Sequence, residues 1–147
     1  MNRLAQCHCG SLRANTSGDP LMVIMCHCRD CQRRTGALAG SGAIFEKAQV
    51  TIEGDSKVFE RDAQEGRKLR SHFCPHCGTS LYWEGDLRPD WCVVAVGAFA
   101  DPMFPPPSVS IYEESKHAWV QLPDGIKHSQ RGLISPAAKV GSDPPNG

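Results

Sequence analysis

The cysteines are the residues of this chain whose type and spacing point most directly to chemistry. Seven of the eight cysteines fall into three short clusters, namely Cys7 with Cys9, Cys26 with Cys28 and Cys31, and Cys74 with Cys77. In an extended segment residues i and i+2 point to the same side, so the thiols of a C-x-C pair can reach one ion. A C-x2-C turn does likewise, and such spacings are typical of zinc sites. The spacing therefore predicts bound zinc.

The two cysteine pairs together provide four thiols, and the remaining cluster provides three. Four thiolates close a tetrahedral structural zinc site, whereas three leave one position open, as in catalytic zinc sites. We predict two zinc ions per chain, a structural one on Cys7, Cys9, Cys74 and Cys77 and a catalytic one on Cys26, Cys28 and Cys31.

Two alternatives to this division stay open at the level of sequence. A histidine could close the second site as Cys₃His, the candidates being His27, His72 and His76. The segment 74–77 could instead be a disulfide oxidoreductase motif, but such a motif is expected at a helix start within a βαβ unit. Here the β-prone segment 79–83 follows it, which favours a metal-binding turn.

Arginines follow the three-cysteine cluster closely and could bind an anionic substrate. Arg29, Arg33 and Arg34 lie within a few residues of Cys31. They predict either a carboxylate-binding wall or a solvated basic turn, because guanidinium groups serve both roles. Cys92 lies in the apolar segment 91–98 and is predicted to be a small buried hydrophobe.

The segments that must position these residues are short and mostly extended. Alternation and turn residues predict strands at 3–6, 12–16, 21–25, 43–45, 50–52, 57–61, 68–73, 79–83, 91–98 and 108–112. One helical turn is predicted at 32–35. The fold class is therefore mostly β. Three tryptophans could line a substrate cleft but are predicted to belong to the core, namely Trp83, Trp91 and Trp119.

Length and charge limit the classes of function. A chain of 147 residues suits one domain, predicted at 1–134, followed by a proline- and glycine-containing tail at 135–147 predicted to be disordered. Sixteen basic and sixteen acidic residues give a formal net charge of zero. This balance argues against a nucleic-acid-binding function, which usually requires an excess of basic residues. No apolar run is long enough to span a membrane. Abundant thiols without an export signal predict a cytoplasmic protein.

Three motifs resemble one known family. They are Cys7-His8-Cys9-Gly10, Cys26-His27-Cys28-Arg29-Asp30-Cys31 and Phe73-Cys74-Pro75-His76-Cys77-Gly78. The chain resembles the glutathione-dependent formaldehyde-activating enzyme family, which includes S-(hydroxymethyl)glutathione synthase and centromere protein V relatives. The likeness covers about residues 3–125 and continues through Val96-Gly97, Asp101-Pro102 and Trp119.

The resemblance implies a β-tent fold of short antiparallel sheets with two zinc sites. It assigns the structural zinc to the same four cysteines as above and the catalytic zinc to the same three. It also implies a carbon–sulfur lyase that joins glutathione, or another small thiol, to formaldehyde or a related small aldehyde. The expected partners are these small molecules, with no nucleic acid and no membrane, and a homodimer is compatible with the sequence. The alternative is a non-catalytic zinc-binding module for protein interaction.

Overall fold

The computed structural model describes residues 1–133, so the predicted disordered tail at 135–147 lies outside the described residues. Eleven strands and one α-helix are assigned there. The strands are β1 (Asn2–Gln6), β2 (Arg13–Ser17), β3 (Met22–Cys26), β4 (Gly40–Glu46), β5 (Val50–Glu53), β6 (Lys57–Asp62), β7 (Lys68–Phe73), β8 (Ser80–Gly85), β9 (Trp91–Ala95), β10 (Val109–Ile111) and β11 (Lys127–His128). The helix is α1 (Arg29–Thr35). Within residues 1–133 no helix has the length and apolar character needed to cross a membrane.

A small sheet carries the first cysteine pair. It has three antiparallel strands in the order β1-β2-β5. Alternate residues of β2, Ala14 and Thr16, are buried, as the two-residue period of a half-buried strand requires. Cys7 directly follows β1, and its amide N–H donates to the carbonyl of Leu12 at 2.9 Å. The loop that contains Cys7 and Cys9 is thereby closed at one end of this sheet.

A large sheet carries the other cysteines. Its strand order is β11-β10-β3-β4-β9-β8-β7-β6. The prediction of a mostly β fold with antiparallel pairing is confirmed for most neighbours. Strand β10 is different, since it runs parallel to both β3 and β11. The chain reaches β10 through the extended Pro105-Pro106-Pro107 segment, whose residues cannot donate to a ladder. Cys26 ends β3, and the turn with Cys74 and Cys77 joins β7 to β8.

The start of the helix and the end of strand β9 differ from the sequence prediction for local reasons. The helix begins at Arg29 rather than at residue 32, because the Cys28 thiol caps it and accepts a hydrogen bond from the Cys31 amide at 3.2 Å. It ends at Thr35, as predicted, and is capped by Gly36, which has a left-handed φ of 68°. The strand at Trp91 ends at Ala95 and continues as a 3₁₀ turn, Val96–Phe99.

Two buried clusters pack on opposite faces of the central strands. Adjacent residues of β4 separate them, since Phe45 belongs to one cluster and Ile44 to the other. Cys7 and Cys74 belong to the first cluster, whereas the three-cysteine group belongs to the second. We propose that the described residues form one domain, because both clusters share these central strands. Trp83 is buried as predicted, but the core prediction for Trp119 is wrong, since its side chain is 71% exposed.

Gly54 provides a test of packing beside the first cysteine pair. Its φ is +92°, and a Cβ there would lie 1.9 Å from the carbonyl oxygen of Ser11. We expect Gly54→Ala to lower the free energy of unfolding by about 3 kcal/mol, because strain and overpacking act together. Gly66→Ala is the control, since Gly66 also has a positive φ but has open space around a Cβ. Equal losses for the two variants, measured by urea unfolding, would contradict the proposed clash.

Candidate metal centres

The first centre combines the loop after β1 with the β7–β8 turn. The sulfurs of Cys7, Cys9, Cys74 and Cys77 all lie within 4.8 Å of one another. The Cys7–Cys9 distance is 3.6 Å and the Cys9–Cys74 distance is 3.7 Å. A tetrahedral zinc with ~2.3 Å bonds holds its sulfurs about 3.8 Å apart. The four thiols therefore fit a closed zinc site.

Hydrogen-bonding groups around this centre favour the thiolates of Cys74 and Cys77. The Leu12 amide donates to the Cys7 sulfur at 3.3 Å, and the Ser11 hydroxyl lies 3.2 Å from the Cys74 sulfur. The Thr79 hydroxyl, 3.3 Å from Cys77, is the main cause that lowers the pKa of Cys77 to about 5. The Ser11 hydroxyl similarly lowers the pKa of Cys74. Cys74 and Cys77 are thus favoured as the deprotonated ligands that a metal requires.

The second centre lies where β3 passes into helix α1. Cys26 ends the strand, Cys28 caps the helix and Cys31 lies in its first turn, and all three side chains are buried. Their sulfurs also lie within 4.8 Å of one another. Gly40 of β4 lies opposite Cys26, and a Cβ on it would lie 3.3 Å from the Cys31 Cβ. The absence of a side chain at Gly40 lets the helix pack closely on the sheet.

The three thiols of this centre differ in their acidity. Hydrogen bonds from the Cys26 and Cys28 thiols lower the pKa of Cys31 to about 3, and the nearby Arg34 guanidinium adds to this shift. Hydrogen bonds with Cys28 and Cys31, together with burial, raise the pKa of Cys26. One thiolate is therefore stabilised by two neutral thiols. A divalent cation would supply the positive charge that three neighbouring thiolates need.

The histidines considered as fourth ligands lie elsewhere. His27 is fully buried, and its Nε2 forms a 3.0 Å hydrogen bond with the Ser110 hydroxyl. His72 bonds Ser56 and Glu84, and His76 is exposed. Across residues 1–133 no further His, Cys, Asp or Glu ligand atom lies within 4.8 Å of all three sulfurs. Within residues 1–133, a tetrahedral ion held by these three thiols would thus have its fourth position free of protein ligands.

The structure also bears on the oxidoreductase alternative for residues 74–77 and on the prediction for Cys92. The Cys74–Cys77 turn joins two antiparallel strands and not the strand and helix of a βαβ unit, unlike the oxidoreductase arrangement. Cys92 lies outside both centres, and burial raises its pKa to about 12. Its thiol is therefore protonated at neutral pH, in keeping with the predicted buried hydrophobe.

A cleft of about 430 Å³ has Cys31 in its wall, and we call it the Cys31 cleft. It lies between helix α1 and strands β6, β7 and β8. Its wall is formed by Asp30, Cys31, Arg33, Arg34, Phe59, Arg61, Ser71, Phe73 and Ser80. The Arg34 guanidinium lies 4.3 Å from the centre of the Trp83 ring, which fixes it near Cys31. Cys31 of the second centre therefore borders a solvent-filled cleft.

Sequence reasoning identified part of this wall and missed the rest. Arg33 and Arg34 were candidates because they follow Cys31 closely, and both line the cleft, whereas Arg29 does not. Phe59 and Arg61 were missed because their position depends on the pairing of β6 with β7. The available signal was the two-residue period of β6, which places Phe59 and Arg61 on one face.

Comparisons with known proteins indicate the fold and the family of this chain. A crystal structure of a Rhodobacter sphaeroides protein is similar to the chain at a TM-score of 0.53 and 21% identity, covering 67% of this chain and 91% of that one. That likeness concerns the fold. No curated protein sequence is significantly similar. The family model described as glutathione-dependent formaldehyde-activating enzyme matches residues 2–115, which include all seven clustered cysteines. The chain therefore belongs to the glutathione-dependent formaldehyde-activating enzyme family.

Proposed function

We propose that the protein is a zinc-dependent carbon–sulfur lyase that reversibly joins glutathione to formaldehyde, giving S-(hydroxymethyl)glutathione. The observation that carries this proposal is the buried three-cysteine centre with no fourth protein ligand in the described chain, next to an open cleft. Family membership supports glutathione and formaldehyde as the substrates. The abundance of reduced thiols supports a cytoplasmic location.

The two centres have different roles in this proposal. Cys7, Cys9, Cys74 and Cys77 would hold a structural zinc that joins the two sheets. Cys26, Cys28 and Cys31 would hold the catalytic zinc. A zinc ion with an open position lowers the pKa of a thiol that binds there, so that the thiol is available as a nucleophile at neutral pH.

The reaction itself needs little beyond this activation. The glutathione sulfur forms a bond to the formaldehyde carbon while the C=O π electrons move to oxygen. That oxygen takes up the proton released by the thiol, and the reverse reaction breaks the same carbon–sulfur bond. Three thiolates leave the centre negatively charged, and the Arg34 guanidinium, fixed on Trp83, offsets part of that charge. The buried walls of the centre limit competing hydration.

Exchange spectroscopy tests the proposed activity despite the spontaneous reaction of the substrates. In a mixture of glutathione and ¹³C-formaldehyde at equilibrium, NMR exchange peaks report how fast formaldehyde enters and leaves the adduct. We expect the zinc-loaded protein at micromolar concentration to raise this rate at least about tenfold over buffer, since positioning and thiol ionisation both contribute. Protein reloaded with zinc after chelation should recover the same rate. An exchange rate equal to that of buffer would refute the proposed activity.

A further inference from the structure

Strand β6 forms one edge of the large sheet, and each of its faces carries an exposed apolar residue. Within residues 1–133 the strand pairs with β7 alone. Val58 and Phe59 point to opposite faces, and they are 51% and 61% exposed. Sheet edges in soluble proteins are usually short, covered or guarded by charged residues. The opposite edge strand, β11, has only two residues, whereas β6 has six, so the charges of β6 decide whether another strand can pair with it.

The hydrogen bonds of the β6–β7 hairpin show which backbone groups face the open edge. The Ala63 amide donates to the Arg67 carbonyl at 2.7 Å, so these two residues form a hydrogen-bonded pair. Such pairs alternate along an antiparallel ladder, and the register of β6 with β7 is continuous. The odd-numbered residues of β6 are therefore the ones bonded to β7. The N–H and C=O groups of the even-numbered residues, Val58, Glu60 and Asp62, point to the open edge.

The charges of β6 select one register for pairing with a second copy of the chain. Two antiparallel strands related by a two-fold axis meet symmetrically, so one residue lies opposite its own copy. Wherever that residue is charged, like charges meet, and a register centred on Phe59 brings Lys57 opposite Arg61. Like charges directly opposite each other are unfavourable. A register centred on Val58 has no such pair.

The register centred on Val58 is also complementary to itself. The backbone groups of both Val58 residues face the open edge and can exchange two hydrogen bonds. Phe59 comes opposite Lys57, whose aliphatic stem can cover the exposed ring. Asp55, two residues before the strand, comes opposite Arg61, so opposite charges meet on both sides of the axis. These features favour a second copy of this chain as the strand that pairs with β6.

We propose that the protein forms a symmetric homodimer in which the two β6 strands pair antiparallel about Val58 and join the two large sheets. This inference is independent of the proposed function, because no metal ligand takes part in the contact. A pair of six-residue strands makes a small interface, so we expect a reversible dimer with a Kd on the order of 50 μM. Phe59 and Arg61 line the Cys31 cleft, so the second copy lies at the rim of that cleft.

Sedimentation equilibrium of the zinc-loaded protein, over two decades of concentration around that Kd, tests the dimer. We expect Val58→Pro to raise the Kd at least about thirtyfold, because proline removes the donor at the centre of the pairing. The variant should fold, since the Val58 amide does not bond β7. Val58→Ala is the matched control, because it keeps the amide and should raise the Kd about fivefold at most. Circular dichroism and zinc content establish that each variant is folded and loaded.

Isotope-filtered NOE spectroscopy identifies the contact surface in the unchanged protein. In a mixture of ¹³C-labelled and unlabelled chains, we expect contacts between the Val58 methyl groups of the two copies and between Lys57 and the Phe59 ring. A protein that stays monomeric well above the expected Kd overturns the proposal. A dimer whose Kd is unchanged in the folded Val58→Pro variant, or whose NOE contacts lie on another surface, also overturns it. Each of these outcomes leaves the proposed lyase activity standing, because the exchange experiment tests that activity separately.

Discussion

Replacement of Cys74 by serine is expected to yield a chain that binds one zinc ion and no longer unfolds cooperatively. Cys74 is fully buried and contributes to the four-cysteine centre, which joins the loop of the small sheet to the β7–β8 turn of the large one. Structural zinc contributes about 10–16 kcal/mol of apparent binding free energy, as much as the ~5–15 kcal/mol total stability of a typical domain. Loss of one ligand therefore removes most of the stability.

Thermal unfolding followed by circular dichroism checks this prediction. Cys92→Ala is the matched control, because Cys92 is also a buried cysteine but lies outside both centres. The control should keep two ions and melt cooperatively, with a loss of about 1 kcal/mol. A Cys74→Ser protein that melts cooperatively within a few degrees of the unchanged protein would contradict the structural role of the four-cysteine centre.

Replacement of Cys28 by serine is expected to abolish catalysis and preserve the fold. The Cys28 thiol caps helix α1 by accepting the Cys31 amide, and a serine hydroxyl is a good replacement in that role. Serine is a poor zinc ligand, however, so two thiols remain to hold the catalytic ion. The acceleration of formaldehyde exchange should fall by about a hundredfold or more.

The NMR exchange assay and a zinc measurement check this second prediction together. The Cys28→Ser protein should hold one ion per chain, keep the circular dichroism of the unchanged protein and exchange formaldehyde at the buffer rate. Cys92→Ala should retain two ions and the full rate. Full acceleration by a Cys28→Ser protein that has lost one ion would show that the three-cysteine centre is not the catalytic one.

The cysteine pairs within each motif could be predicted because their geometry is local. Cys7 and Cys9 share one side of an extended loop, and a C-x2-C turn brings Cys74 next to Cys77 whatever the rest of the fold. Most strands followed from the two-residue alternation of buried and exposed residues. The start of the helix was missed because the cap is a thiol, and sequence rules for caps expect Ser, Thr, Asp or Asn.

The cleft beside the second centre could not be predicted because it depends on contacts between distant segments. Ser71 is unremarkable in sequence, and only the pairing of β7 with β6 and β8 places it beside the centre. The parallel pairing of β10 with β3 is equally non-local, since it follows a long connection across the sheet. Trp119 was expected in the core from its residue type alone, and nothing in its neighbouring sequence indicated its exposure.

Native mass spectrometry of the zinc-loaded protein with glutathione tests most directly whether the three-cysteine centre holds an open zinc that accepts a thiol. We predict two zinc ions and one glutathione per chain for the unchanged protein, and one zinc ion without glutathione for Cys28→Ser. Two zinc ions with no bound glutathione in the unchanged protein would contradict the open catalytic centre and would favour a non-catalytic zinc-binding module.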